Sequence, residues 1–140
     1  MGQRIIKFKA KRLDNGEWEE GSLLLSERGK VCIGTMLDSN EENGTPVCFK
    51  CREVDPTTAC QFTGLKDMKG REIWEHDLIA GKPCGNATLE VRYSRGCFKL
   101  FDIDGDTAYF ELGHIPLDKS NNLEEFRIVG NVFNKDCGEK

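Results

Sequence analysis

A chain of 140 residues with a formal net charge of −4 is long enough to bury a core without disulfides or a structural metal. It carries no global positive field to attract phosphate backbone or anionic lipid. With 38% hydrophobic residues, 31% charged residues and 15 glycines spread along it, the composition is that of one domain built from many short elements joined by turns, which favours β structure.

No run of about 18 apolar residues occurs, and the opening MGQRIIKFKAKR has no apolar signal core, so the expectation is a cytoplasmic protein with no membrane contact. Ile6 stands where myristoylation requires Ser or Thr. Seven cysteines, an odd number, are read as reduced thiols, some of them buried as small hydrophobes.

RIIKFKA alternates, with Ile6, Phe8 and Ala10 on one face and Ile5, Lys7 and Lys9 on the other, the period of a half-buried strand. A turn at Asp14–Gly16 follows, then two strands in EWEEGSLLL and KVCIGTML around the SERG turn. Asp38–Pro46 is acidic, polar and rich in turn formers, and reads as a long flexible loop. VCFKCREVDPTT returns to extended character and ends at Asp55-Pro56, where the proline biases its neighbour away from helix.

The cleanest pattern lies in ATLEVRY, with Ala87, Leu89, Val91 and Tyr93 on one face. CFKLFDI and TAYFEL follow across the SRG and DGD turns as a meander. PLDKSNNLEEF offers the only helical pattern, with Asn122 as its cap, and EEFRIVGNVF reads as two short strands bent at Gly130-Asn131. In all, roughly eight or nine short strands are expected, in a small barrel or sandwich.

The string VDPTTACQFTGLKDMKGREIWEHDLI, with GCFKL, FRIVGNVF and the opening IKFKA, resembles the YopX family of bacteriophage and prophage proteins. In that family the line runs VDP-x-T-x-x-Q-x-TGL-x-D-x-x-G-x-x-I-x-E-x-D. The resemblance covers the whole chain and is densest over Val54–Ile79. It implies a mainly β fold: an N-terminal β-meander and a small SH3-like barrel in the C-terminal half, divided as residues 1–55, 56–135 and a tail at 136–140. It implies no enzyme activity. The sequence departs from the family where "EGD" is usual, because His76 stands between Glu75 and Asp77. Histidine accepts a positive φ much less readily than glycine.

Four constellations carry chemistry on paper. Cys48-Phe-Lys-Cys51 has the spacing of a zinc knuckle or a redox pair, with Cys32, Cys60, Cys84 and Cys97 standing singly. The leading reading is reduced, unliganded thiols, because no second pair and no following helix are in sight. Glu75, His76 and Asp77 could hold a metal or serve as acid and base, yet adjacent residues of a strand point to opposite faces. Asp102, Asp104 and Asp106 have the opening spacing of a calcium loop, but Thr107 and Gly113 stand where Gly and Glu are required, so a turn through Asp104-Gly105 is favoured. Lys7, Lys9 and Lys11, flanked by Arg4 and Arg12, form a basic strand face that could touch phosphate.

The expectation is therefore a non-enzymatic phage accessory protein, with no cofactor and no metal, that binds another macromolecule through strand edges or loops. A protein is the leading partner, nucleic acid at Lys7, Lys9 and Lys11 the first alternative, and a zinc or redox protein through Cys48 and Cys51 the second; self-association through unpaired edges is open. Trp74 is expected either as an apolar cover on the core or as an exposed partner contact. Gln61–Trp74 is read as a hairpin with a positive φ at Gly70, and His76→Ala as leaving the fold intact.

Overall fold

The computed structural model describes residues 5–37, 48–85 and 87–134, with the backbone alone at Leu37 and Cys48. Arg4, the expected loop Asp38–Pro46 and the tail 136–140 lie outside the described residues. The chain forms two compact units, Met1–Gln61 and Phe62–Lys140. It is mainly β and antiparallel, as the sequence implies.

In the first unit β1 (Phe8–Lys11), β2 (Trp18–Leu25), β3 (Val31–Leu37) and β4 (Cys48–Glu53) run in the order β4-β3-β2-β1. The head of β5 (Cys60–Lys66) continues on β1 through Phe8↔Gln61 and Lys9↔Cys60. β1 thus has hydrogen-bonded neighbours on both sides and is not an edge. The buried centre is small: Ala10, Ile33 and Val54, with Phe8, Leu23, Val31 and Ala59 packed on them.

In the second unit the rest of β5 pairs with β6 (Glu72–Trp74). A five-stranded sheet follows, built from β7 (Asp77–Gly81), β8 (Thr88–Ser94), β9 (Cys97–Asp102), β10 (Ala108–Glu111) and β11 (Phe126–Asn131), in the order β10-β9-β8-β7-β11. Its core holds Ile73, Ile79, Leu89, Val91, Leu100 and Phe126 among others. The expected barrel stays open, because β10 and β11 are the two ends of the sheet and share no ladder. The seam between them is bridged by side chains, with the Phe110 and Phe126 rings 5.6 Å apart, edge to face.

Three departures from the sequence reading have local causes. Eleven strands are present among the described residues. The one least visible in sequence is β7, where Asp77, Ile79, Ala80 and Gly81 are all buried, so it has no alternation to detect. PLDKSNNLEEF holds no helix; Asp118 accepts from the backbone N–H of Ser120 (2.8 Å) and Asn122 (3.0 Å), and Leu117 bridges Leu123. FRIVGN is one strand with a bulge between Ile128 and Gly130, not two strands with a bend.

The turn at Asp118–Asn122 repeats a device used twice earlier. In Ser26–Lys30, Asp67–Arg71 and Asp118–Asn122, the first residue's side-chain oxygen accepts from the backbone N–H four positions on, at 2.9, 2.9 and 3.0 Å. The first and fifth residues also close a backbone bond. The fourth residue has a left-handed φ: +89° at Gly29, +81° at Gly70 and +66° at Asn121. A short acceptor in the first position and Gly or Asn in the fourth are what this turn demands. The expected positive φ at Gly70 is thus found.

Candidate functional site

The residues singled out in sequence are dispersed, and most are occupied with holding turns. Lys7, Lys9 and Lys11 do share a face, set by the register Lys9↔Glu20 and Lys11↔Trp18. Lys7 Nζ lies 3.9 Å from Glu20, while the Lys9 and Lys11 ammonium groups sit 4.6 and 5.5 Å from the centre of the Trp18 ring. The aromatic surface on which a base could stack is thereby engaged by the lysines themselves.

Trp74 is 4% exposed, with its ring 5.5 Å from Phe62. It is the apolar cover of the two roles expected, not an exposed partner contact, because Ile73 and Trp74 are both buried and β6 has cover on both faces.

His76 has φ +72°, the left-handed conformation that glycine supplies in the family's usual "EGD". Its backbone N–H donates to Val91 (2.7 Å) and its carbonyl accepts from Val132 (3.0 Å). Its Nδ1 lies 2.8 Å from Glu90 Oε2; a carboxylate only accepts, so Nδ1 carries the proton. Glu90 is held from its other oxygen by Arg92 Nε at 3.0 Å. Asp77 accepts from the backbone N–H of Trp74 and from Asn131 Nδ2, both at 2.8 Å. Asp77 thereby ties the turn to β11.

The Asp102–Asp106 turn already holds a cation of the protein's own. The Arg92 guanidinium donates to the carbonyls of Gly105 (2.8 Å), Ile103 (3.1 Å) and Asp102 (3.2 Å). Cys48 and Cys51 lie in the extended β4, not in the tight turn that a zinc knuckle uses. Cys32, Cys51, Cys84 and Cys97 are thiols outside any disulfide, and the buried Cys60 Sγ donates to the Thr58 carbonyl at 3.2 Å. Among the described residues, no group of three or more His, Cys, Asp or Glu side chains is placed to hold a metal ion.

The fixed positions of VDP-x-T…TGL-x-D-x-x-G-x-x-I have structural work of this kind. Asp55 Oδ1 accepts from the Thr57 N–H at 3.0 Å and caps the 3-10 turn Pro56–Thr58. Thr63 Oγ1 donates to the Ile73 carbonyl at 2.7 Å, and Gly64 has φ +88°. Asp67, fully buried at 0% exposure, accepts from the N–H groups of Lys69, Arg71 and Ile128 and from Arg71 Nε.

What sequence did not mark is a groove along β10. Tyr109, 56% exposed, stands between two hollows of about 360 and 350 Å³ that share Pro83, Tyr109 and Phe110. Leu89, Cys84 and Asp102 line the first, and Glu111, His114, Ile115 and Pro116 the second. Pro83 arrives there on the 3-10 turn Lys82–Cys84, and His114 on the 3-10 turn Leu112–His114. Burial pushes the Cys84 thiol above its ordinary pKa, so it is protonated and a poor nucleophile near neutral pH.

The two ends of the sheet differ. The outer side of β11 is closed by the Asp67 turn: Met68 N–H donates to the Phe126 carbonyl (2.8 Å), Asp67 Oδ2 accepts from Ile128 N–H (2.9 Å), and Arg71 donates to the Ile128 carbonyl (2.8 Å). Among the described residues, nothing pairs with the outer side of β10. The outward Tyr in TAYFEL was the one legible signal for this edge.

The sequence matches the family description "YopX protein" over residues 7–136. The chain belongs to the YopX family. No curated protein matches it. The YopX match runs through both units and takes in the signature turn as well as β10 and its groove.

Proposed function

We propose that this YopX-family chain is a non-catalytic binding module of phage and prophage origin, acting in the bacterial cytoplasm, and that it captures an extended segment of a partner protein along β10. Support comes from one observation above all: the outer side of β10, the end strand of its sheet, has no ladder partner among the described residues, and a hollow lies on either side of its exposed Tyr109. A strand added to such an edge gains main-chain hydrogen bonds, and its alternate side chains, about 6–7 Å apart, fill pockets on one face.

Charge selects the occupant. Asp102 lines one hollow and Glu111 the other. A segment with Lys or Arg beside its apolar residues is favoured over a second copy of this chain, whose net charge is −4 and whose β10, Ala-Tyr-Phe-Glu, has no cation. The alternative, nucleic acid at Lys7, Lys9 and Lys11, has their shared face in its favour and their engagement with Glu20 and Trp18 against it.

The test is selection from a library of extended peptides, followed by hydrogen exchange of the complex. Peptides with alternating apolar positions and basic flanks should emerge and protect the amides of Ala108–Glu111. Tyr109→Ala should weaken them by about tenfold or more, the loss of an aromatic anchor. Selected peptides that protect β4 instead, or that ignore Tyr109→Ala, refute the assignment.

A further inference from the structure

The first unit has an outward face with its own chemistry, independent of β10. Pairing of β3 with β4 sets Cys32 opposite Glu53, Gly34 opposite Cys51 and Met36 opposite Phe49, and directly paired residues share a face. Leu24, opposite Cys32 on β2, joins them. Gly34 leaves a gap in this row, and two apolar side chains close over it: a Cβ there would lie 2.8 Å from both Leu24 Cδ1 and Phe49 Cζ.

Phe49 reaches Gly34 along a diagonal, one pair over from its own partner Met36. The same diagonal leads from Cys51 to Cys32. The two thiols do interact, and Cys32 is half-buried while Cys51 is exposed. Two sulfurs therefore meet beside an apolar lid, with one of them open to solvent.

We propose that Cys32 and Cys51 form a two-sulfur site for a thiophilic monovalent cation of the Cu(I) type. Soft thiolate ligands select such ions, which are satisfied by two sulfurs where zinc asks for four ligands. A direct disulfide fits this geometry less well. Diagonal neighbours in an antiparallel sheet are about 7–8 Å apart at Cα, and disulfides need about 4.4–6.8 Å. An inserted ion adds two metal–sulfur bonds, each of the order of the zinc–sulfur bond, about 2.3 Å. Binding converts two thiols and one monovalent cation into a bis-thiolate complex of charge −1 and releases two protons. Affinity therefore rises with pH. Burial, Cys51 and Glu53 hold the Cys32 thiol above its ordinary pKa, and Lys30 acts in the opposite sense.

The experiment is anaerobic titration of the reduced full chain with Cu(I) against a chromogenic Cu(I) chelator, with X-ray absorption on the loaded protein. One equivalent should be retained, bound by two sulfurs. Cys51→Ser, an exposed position that leaves folding untouched, should weaken retention by more than the roughly 10–100-fold that losing a mere supporting partner costs. Cys32→Ser should do the same, whereas Cys84→Ser, Cys97→Ser, Cys48→Ser and Cys137→Ser should retain the ion. No retention against the chelator overturns the proposal, as does retention in Cys51→Ser, an equal loss in Cys48→Ser, or a first shell with nitrogen or more than two sulfurs.

Discussion

Replacing Asp67 by Ala removes a fully buried carboxylate that satisfies three backbone N–H groups, those of Lys69, Arg71 and Ile128, and pairs with the Arg71 guanidinium at 3.0 Å. Each buried donor left unsatisfied costs about 1–3 kcal/mol, with the lower figure apt at Lys69 and Arg71, which are exposed and gain water. The sum is about 3–5 kcal/mol, the range for breaking a buried ion pair and a large share of a domain's usual ~5–15 kcal/mol. Asp67→Asn should lose about 3 kcal/mol, since its amide nitrogen turns a donor towards donors.

Acid provides the internal control. Burial favours the neutral carboxyl, but hydrogen bonds from Ile128, Arg71 and Lys69 outweigh it and hold Asp67 below its ordinary pKa. A depressed pKa in the folded state means that the stabilisation is complete above the ordinary value of about 3.9 and is lost as pH falls through the lower folded value. The gap between wild type and Asp67→Asn should therefore stay constant from about pH 7 to 5 and close below about pH 4. Urea unfolding read by Trp74 fluorescence in a Trp18→Phe background measures it in the second unit. A gap under about 0.5 kcal/mol at neutral pH, typical of an unremarkable surface site, refutes the reasoning, as does a gap that persists unchanged in acid.

Gly81→Ala should abolish cooperative unfolding of the second unit by circular dichroism, because a Cβ there runs into the backbone carbonyl of Glu125, which cannot move like a flexible side chain. At His76, where sequence alone puts no cost on Ala, the geometry does: loss of the Nδ1 bond to Glu90, which keeps its bond from Arg92, should cost about 1 kcal/mol in urea unfolding. Gly70→Val should prevent folding, seen as loss of amide dispersion, because a β-branched side chain is strained at φ +81°. Changing Lys7, Lys9 and Lys11 together to Ala should leave peptide capture at β10 unchanged; abolition of a salt-sensitive nucleic-acid affinity in that variant would favour the alternative partner.

The sequence by itself determined what local chemistry dictates. Alternation marked β1 and β8, and Gly in a fixed place marked the turns at Gly29 and Gly70, because these signals rest on the period of a strand and on φ at single residues. The spacing from Val54 to Ile79 also marked the family, since those positions cap and close turns within a few residues of one another. The tertiary structure decided the rest. β7 was hidden because burial on both faces erases the alternation, and PLDKSNNLEEF became an Asp118-centred turn because the backbone donors of Ser120 and Asn122 found a side-chain acceptor nearer than any helical partner. Trp74 went inside, Arg92 filled the Asp102–Asp106 turn, and Cys32 met Cys51, each through strand register that no linear spacing encodes. The open edge at β10 depends on which end of the sheet the Asp67 turn closes, and that is a matter of pairing between residues some sixty positions apart.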